Sequence, residues 1–174
     1  MFYITRKGGL PQPYYRIERA EESHNEGEEE RGEEEGEEHT DVGADTLTDV
    51  VAKEVITSCR AVREGESIDR AWESIKRSNF ESLPVISKEG KLLGMLNSND
   101  AYKARHNNKE VGEVMADTVC ASSDTTVEEM AQLFFDKRVK VLPIIDRESK
   151  VVGVVTPGDL LRTIVKLDSI EKPL

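Results

Sequence analysis

The chain has 174 residues, of which 37% are hydrophobic, and a formal net charge of −11. A chain of this length holds one ordinary domain or two small units that share a core. No apolar run approaches the roughly 18 residues of a membrane span, and Met1 to Gly9 lacks the apolar core of a secretory signal. We therefore expect a cytoplasmic protein without a membrane span.

The first 45 residues differ in composition from the rest. Residues 1–17 contain a candidate strand, Phe2–Thr5, and a Gly/Pro turn, and this short segment can dock on the rest of the chain or on a partner. Residues 18–45 hold fourteen Asp or Glu and two Arg, a net charge of −12, so the remainder sums to about +1. So few apolar side chains cannot offset an ordering entropy of roughly 1–2 kcal/mol per residue. We predict a disordered acidic linker.

An internal repeat with an offset of 59 residues organises the remaining chain. Positions that are identical in the two copies include Glu54, Leu83, Pro84, Glu89, Lys91, Gly94 and Asp100, each with its partner 59 residues later. The apolar pattern agrees at most other positions. We therefore divide the chain into repeat 1 (residues 46–106), repeat 2 (residues 107–168) and a C-terminal tail (residues 169–174).

Repeat 1 is predicted to contain a strand, a helix, two strands and a second helix. A short extended stretch at 59–62 comes first. Apolar residues at i, i+3, i+4 and i+7 from Ile68 predict a helix that is capped by Ser67. The apolar segments Leu83–Ile86 and Leu92–Leu96 flank a Lys-Glu-Gly turn and predict a hairpin, and Asn97 caps the last helix.

Repeat 2 shows the same order with stronger signals. Thr126 and Glu129 form a capping box before a helical stripe of apolar residues, Val127, Met130, Ala131 and Phe134. Strand-helix-strand connections favour right-handed crossovers with helices on a small sheet, and two units that each carry one apolar face are expected to bury those faces together. We predict an α/β (α+β) fold in which two β-α-β-β-α units pack as a pseudo-twofold pair.

The candidate chemistry lies at the last turn from strand to helix, Thr156-Pro157-Gly158-Asp159. Thr is a capping residue, Pro suits the first helical position, and Gly allows close approach to the backbone. Free N–H groups at a helix start hold phosphate oxygens, and an acidic side chain can accept both ribose hydroxyls. The same Thr-x-x-Asp pattern also caps helices that bind nothing. The local sequence leaves both interpretations open.

The repeated Leu-Pro, Gly and Asp positions resemble a cystathionine-β-synthase (CBS) domain, and the two copies resemble the tandem pair called a Bateman module. The resemblance implies an adenosine-phosphate site, in which a hydroxyl contacts phosphate, the Asp binds ribose and apolar residues hold the base. In repeat 2 the implied residues are Thr156, Gly158 and Asp159, with Val119, Cys120, Ala121, Lys140, Val141, Leu142 and Pro143.

A weaker site in repeat 1 is implied at the equivalent positions. Its residues are Ala61, Val62, Ser82, Leu83, Asn97, Ser98 and Asp100. Asn97 replaces the hydroxyl residue of the pattern, and Glu81 stands where repeat 2 has Lys140. Because a carboxylate repels a nucleotide tail, we expect the ligand to prefer repeat 2.

The resemblance implies a regulatory module that senses a ligand and transmits its occupancy to an unidentified protein partner. The implied ligands are AMP, ADP or ATP, with S-adenosylmethionine and NAD as further candidates, and no covalent cofactor is expected. CBS pairs commonly associate through their helices, so we also expect a homodimer. The alternative is a scaffold that dimerises without binding a ligand.

Catalysis, metal binding and nucleic-acid binding are not expected. The three histidines lie in the acidic linker and between the repeats, and neither Cys59 nor Cys120 has a base nearby in sequence. The two cysteines are not at equivalent repeat positions, which argues against a disulfide framework or a zinc site. A nearly neutral body with an acidic linker would not attract a phosphate backbone.

Overall fold

The computed structural model of the chain describes residues 2–6, 8–14 and 50–170. The predicted disorder of residues 18–45 and most of the predicted C-terminal tail lie outside these residues. Among the described residues, no helix combines the length and the apolar character that crossing a bilayer requires.

Eight strands and six helices occur in the described part of the chain. The strands are β1 (Phe2–Ile4), β2 (Gln12–Tyr14), β3 (Val62–Arg63), β4 (Ser82–Ile86), β5 (Leu92–Asn97), β6 (Val119–Ser122), β7 (Leu142–Ile145) and β8 (Val151–Val155). The helices are α1 (Ala52–Val55), α2 (Ile68–Arg77), α3 (Ser98–Ala104), α4 (Val111–Val114), α5 (Val127–Lys137) and α6 (Pro157–Ile170).

Both repeats fold in the predicted order, and each is preceded by a single-turn helix. In repeat 1 the sheet order is β3-β4-β5, with β3 parallel to β4 and β4 antiparallel to β5. Strands β6, β7 and β8 repeat this arrangement. The predicted fold class is confirmed, although the first strand of repeat 1 is shorter than expected and contains only two residues.

Backbone bridges join the two repeats symmetrically. Thr57 pairs with Val154, and Ala116, which lies 59 residues after Thr57, pairs with Met95. The two hairpin turns meet at a bridge between Lys91 and Lys150, which are themselves equivalent positions. This pattern is the predicted pseudo-twofold pair. We call the segment around Thr57 in repeat 1, and the segment around Ala116 in repeat 2, the entry segment of that repeat. The entry segment of each repeat therefore runs beside the last strand of the other.

The predicted helical stripes supply much of the core. In α2, Ile68, Ala71 and Ile75 are buried against β4 and β5. The Thr126 side chain accepts the N–H of Glu129, as the capping box predicts. The α5 stripe differs from expectation at one position, because Ala131 is exposed and the buried side chain is that of Leu133.

The N-terminal segment docks on repeat 2 as a hairpin of β1 and β2. Strand β1 pairs antiparallel with β6, so the sheet of repeat 2 has five strands. Thr5 is buried, and Thr118 N donates to its hydroxyl at 3.0 Å. Of the two alternatives for this segment, the structure shows docking within the chain. The pairing satisfies a sheet edge that would otherwise present unpaired N–H and C=O groups.

Candidate functional site

A cleft of about 450 Å³ lies between the repeats and beside Asp100; we call it the Asp100 cleft. Repeat 1 contributes Glu81, Ser82, Met95, Asn97, Ser98, Asn99 and Asp100, and repeat 2 contributes Asp117, Thr118, Arg138, Val139, Lys140 and Val141. The two sets meet because the Met95–Ala116 bridge places the entry segment of repeat 2 beside β5. The cleft therefore exists only when both repeats are folded together.

Polar side chains line one wall of the Asp100 cleft. Ser82 Oγ donates to Asn97 Oδ1 at 2.7 Å, and Asn97 Nδ2 donates to Asp100 Oδ2 at 3.3 Å. At the rim, Lys140 Nζ lies 2.5 Å from Glu81 Oε2. Both charged side chains are mostly exposed, at 75% and 65%, and a surface ion pair of this kind contributes little to stability. Lys140 can therefore exchange Glu81 for a ligand anion at little cost.

The pseudo-equivalent Asp159 site is closed by its own contacts. Asp159 Oδ2 accepts from Thr156 N at 2.8 Å and from Thr156 Oγ1 at 2.7 Å, as in a helix cap. Its Oδ1 accepts from Thr57 Oγ1 of repeat 1 at 3.1 Å and lies 3.6 Å from Arg162. Only 7% of Asp159 is exposed. A ligand that used this carboxylate would have to displace Thr57.

The structure groups the expected site residues differently from the repeat-by-repeat assignment. Thr156 and Asp159 are in contact, but Lys140 and Val141, which were assigned with them, line the Asp100 cleft instead. Of the weaker set, Ser82, Asn97, Ser98 and Asp100 line this same cleft. The physical reason is the crossed pairing of the repeats, since the loop before β7 faces the helix start of repeat 1.

Several expected base-binding residues are core residues. Each lies in or next to a sheet, and none of them lines the Asp100 cleft. In repeat 2 these are Val119, Cys120, Ala121, Leu142 and Pro143, all buried. In repeat 1, Val62 and Leu83 are buried and Ala61 is half-buried.

Six residues that line the cleft were not predicted from sequence, and neither was Thr57 at Asp159. The six are Met95, Asn99, Asp117, Thr118, Arg138 and Val139. The 59-residue offset marks these segments as equivalent, but it does not say which copy each one faces.

The two thiols are protonated near neutral pH. Burial raises the pKa of Cys59 to about 11 and that of Cys120 to about 12. Because the thiolate is the nucleophile and metal ligand, these positions are unsuited to either role. Among the described residues, no group of three or more His, Cys, Asp or Glu is placed to hold a metal ion.

Comparison with known proteins identifies relatives of the repeated part of the chain. The family model for the CBS domain matches residues 47–107 and 111–166. Inosine-5'-monophosphate dehydrogenase of Methanocaldococcus jannaschii is 34% identical over 115 residues, which cover 66% of this chain and 22% of that enzyme. The magnesium transporter MgtE of Thermus thermophilus is 33% identical over 107 residues, 58% of this chain and 24% of the transporter. The chain thus spans about a quarter of the length of these relatives.

Solved structures match the same part of the chain. The CBS domain pair of protein MJ0100, in complex with 5'-methylthioadenosine and S-adenosyl-L-methionine, is 27% identical with a TM-score of 0.58, and the match covers 67% of this chain and 97% of that one. CBSX2 from Arabidopsis thaliana is 21% identical with a TM-score of 0.64, covering 69% and 97%. With two consecutive family matches and two equivalent folded repeats, this chain belongs to the CBS domain family as a tandem pair.

Proposed function

We propose that the chain is a regulatory module that binds an adenosine-containing ligand between its repeats and transmits occupancy to a protein partner. The observation that carries this proposal is the Asp100 cleft, because residues of both repeats form its walls. A ligand held there contacts both repeats, so its affinity depends on how the repeats are positioned relative to each other. Binding therefore favours one conformation of the pair over another, as transmission of occupancy to a partner requires. The complex of the MJ0100 domain pair with two adenosine derivatives supports this class of ligand.

The Asp100 cleft has the chemistry that an adenosine phosphate requires. The Asp100 carboxylate can accept two ribose hydroxyls. Met95 and Val141 supply apolar surface for the base, and Lys140 and Arg138 supply positive charge for phosphate. The Asp159 site, at which the sequence predicts the tighter binding of the same ligand, stays a prediction. Its helix start is suited to phosphate, but its carboxylate is already saturated.

Asp100→Ala is expected to remove most of the stabilisation by ligand. Wild-type chain at a ligand concentration of a hundred times Kd gains about 2.7 kcal/mol, which corresponds to a rise in Tm of about 8 °C for a chain of this size. The variant loses the ribose acceptor, so this shift should fall to about 2 °C or less. Thermal unfolding with AMP, ADP, ATP, S-adenosylmethionine and NAD measures it.

Two controls locate the ligand and orient it. Asp159→Asn keeps the size of the side chain and should preserve the shift, because the Asp100 cleft is untouched. Lys140→Gln should weaken AMP about tenfold and leave 5'-methylthioadenosine, which has no phosphate, nearly unchanged. A shift that is lost in Asp159→Asn and kept in Asp100→Ala would move the site to Asp159. If none of the five ligands shifts the wild-type Tm, the non-binding scaffold is the correct function.

We also propose that the chain forms a homodimer through helices α5 and α6. Phe135, Leu161 and Val165 are 86%, 64% and 59% exposed on these helices, and large apolar side chains grouped at a surface mark an interface. Leu161→Glu should shift a dimer to monomer at micromolar concentration, which sedimentation velocity measures. Val152→Glu is the matched control, because Val152 is exposed on β8 and not on these helices. A wild-type chain that sediments as a monomer contradicts the proposal.

A further inference from the structure

A groove of about 900 Å³ lies on repeat 1, and none of its lining residues belongs to the Asp100 cleft or the Asp159 site. It runs along β3 and the exposed side of α2. Its positive side chains are Arg60, Arg63, Arg70, Arg77 and Lys88, and we call it the arginine groove. Glu64, Glu66 and Glu73 also line it, so the basic residues are in excess.

The charge of the arginine groove is not neutralised within the folded body. None of its five basic side chains has an ion pair or a hydrogen-bond partner among the described residues. Glu73, by contrast, is paired with Lys76 at 2.6 Å. All five basic residues are exposed. Like charges this close repel one another, so a counter-charge from outside the described residues would stabilise the groove.

Repeat 2 shows that the groove is a specific feature of repeat 1. The residues at the positions equivalent to the five basic ones are Val119, Ser122, Glu129, Asp136 and Arg147. Only one of the five keeps a positive charge. At the same place on repeat 2, β1 pairs with the outer edge of β6. On repeat 1, no described strand pairs with the outer edge of β3.

We infer that the arginine groove binds the acidic segment, residues 18–45 of the same chain. The segment carries a net charge of −12, whereas the rest of the chain is close to neutral. An open sheet edge beside arginines can accept an extended anionic peptide through backbone and charge contacts. The apolar content of the segment is too low for a packed contact, so electrostatic docking is the mode that its composition permits.

Tethering favours this occupant over an acidic segment of another protein. Residues 15–49 connect β2 to the beginning of repeat 1, and 35 residues can reach at most about 115 Å. Both ends are anchored on repeat 2, by the pairing of Tyr14 with Phe2 and of Val51 with Thr126. Tethering through a connection of this length gives an effective concentration on the order of millimolar. An untethered acidic peptide would need to exceed that concentration to compete.

Carbodiimide cross-linking of the full chain tests this inference. The reagent joins Lys88 Nζ to an Asp or Glu carboxylate as an amide, takes up the lost oxygen and leaves as a urea. Mass spectrometry should find links from Lys88 to residues 18–45 at least fivefold more often than links from Lys103 or Lys166, which are exposed elsewhere. The excess should disappear in 0.5 M NaCl, where the Debye length is roughly 4 Å. In an equal mixture of ¹⁴N and ¹⁵N chains, each link should join two residues that carry the same isotope, because both belong to one chain.

A charge-matched pair of variants completes the experiment. Replacing Arg60, Arg63 and Arg77 with Gln should reduce the Lys88 links about tenfold. Replacing Arg6, Arg105 and Arg147 with Gln removes the same charge outside the groove and should leave the Lys88 links unchanged. Links spread evenly over the lysines, or an equal loss in both variants, would overturn the inference. Links of mixed isotope would overturn it too, because they would place the acidic segment of a second copy in the groove.

Discussion

Gly94→Ala is expected to lower the Tm by about 10 °C. A Cβ at this position would lie 2.5 Å from the carbonyl oxygen of Ala116, a backbone atom that cannot move aside as a side chain would. That oxygen accepts Met95 N at 2.9 Å, and Ala116 N donates to Met95 O at 2.8 Å. Separating the strands strains or breaks both bonds, at about 1–3 kcal/mol each. A total of about 3 kcal/mol corresponds to about 10 °C for a chain of this size.

Two other glycines serve as controls for this variant. Gly153 is the equivalent residue of repeat 2, and its Cβ would lie 3.0 Å from Thr57 O, so Gly153→Ala should cost less. Gly65 has no atom within 4 Å of the corresponding position, so Gly65→Ala should be neutral or slightly stabilising. Urea and thermal unfolding measure all three. A Gly94→Ala variant within 2 °C of wild type would show that the repeats are not held this closely.

Deletion of residues 1–14 is expected to lower the Tm by about 6 °C. The deletion removes the pairing of β1 with β6 and uncovers core residues against which Phe2, Tyr3 and Ile4 are packed. Half-burial of three large side chains gives about 3 kcal/mol, part of which offsets the ordering entropy of the hairpin. We expect a net loss of about 2 kcal/mol. The freed edge of β6 should also increase aggregation.

Deletion of residues 21–38 is the control for the hairpin. It shortens the acidic segment, removes none of the described residues and leaves β1 paired with β6. The Tm should therefore fall by no more than about 2 °C, which is the contribution expected of exposed ionic contacts in the arginine groove. Calorimetry and light scattering on both deletions compare their stability and aggregation. An unchanged Tm after loss of residues 1–14 would mean that the pairing of β1 with β6 contributes nothing to stability.

The sequence predicts best those elements whose bounds depend on residues a few positions apart in the chain. The helix of repeat 2 begins where Thr126 and Glu129 satisfy its first N–H groups, and this reciprocal cap needs residues only three positions apart. The buried face of α2 follows from the 3.6-residue period that starts at Ile68. The bounds of β3 are predicted less well, at 59–62 against Val62–Arg63 in the structure. A strand of two residues is too short to show an alternation of apolar and polar side chains.

The N-terminal segment illustrates a feature that local sequence leaves undetermined. The sequence predicts a strand over Phe2–Thr5, and the structure has it over Phe2–Ile4. A strand needs an edge to pair with, however, and its own sequence does not identify that edge. The structure supplies the edge in β6, more than a hundred residues away, and buries Thr5 against Thr118. Long-range pairing of this kind depends on which edges the rest of the fold leaves open.

The sequence by itself determined the family, the two repeats and their internal order of elements. It also identified the Asp in the first turn of the last helix of each repeat. Only the tertiary structure decided which residues share a cleft. Sequence equivalence grouped Lys140 with Asp159, whereas the fold places Lys140 beside Asp100. The physical reason is the pseudo-twofold axis: the entry segment of each repeat pairs with the last strand of the other, as Ala116 does with Met95. Both apolar faces are buried by this crossing, and each site is therefore built from both repeats.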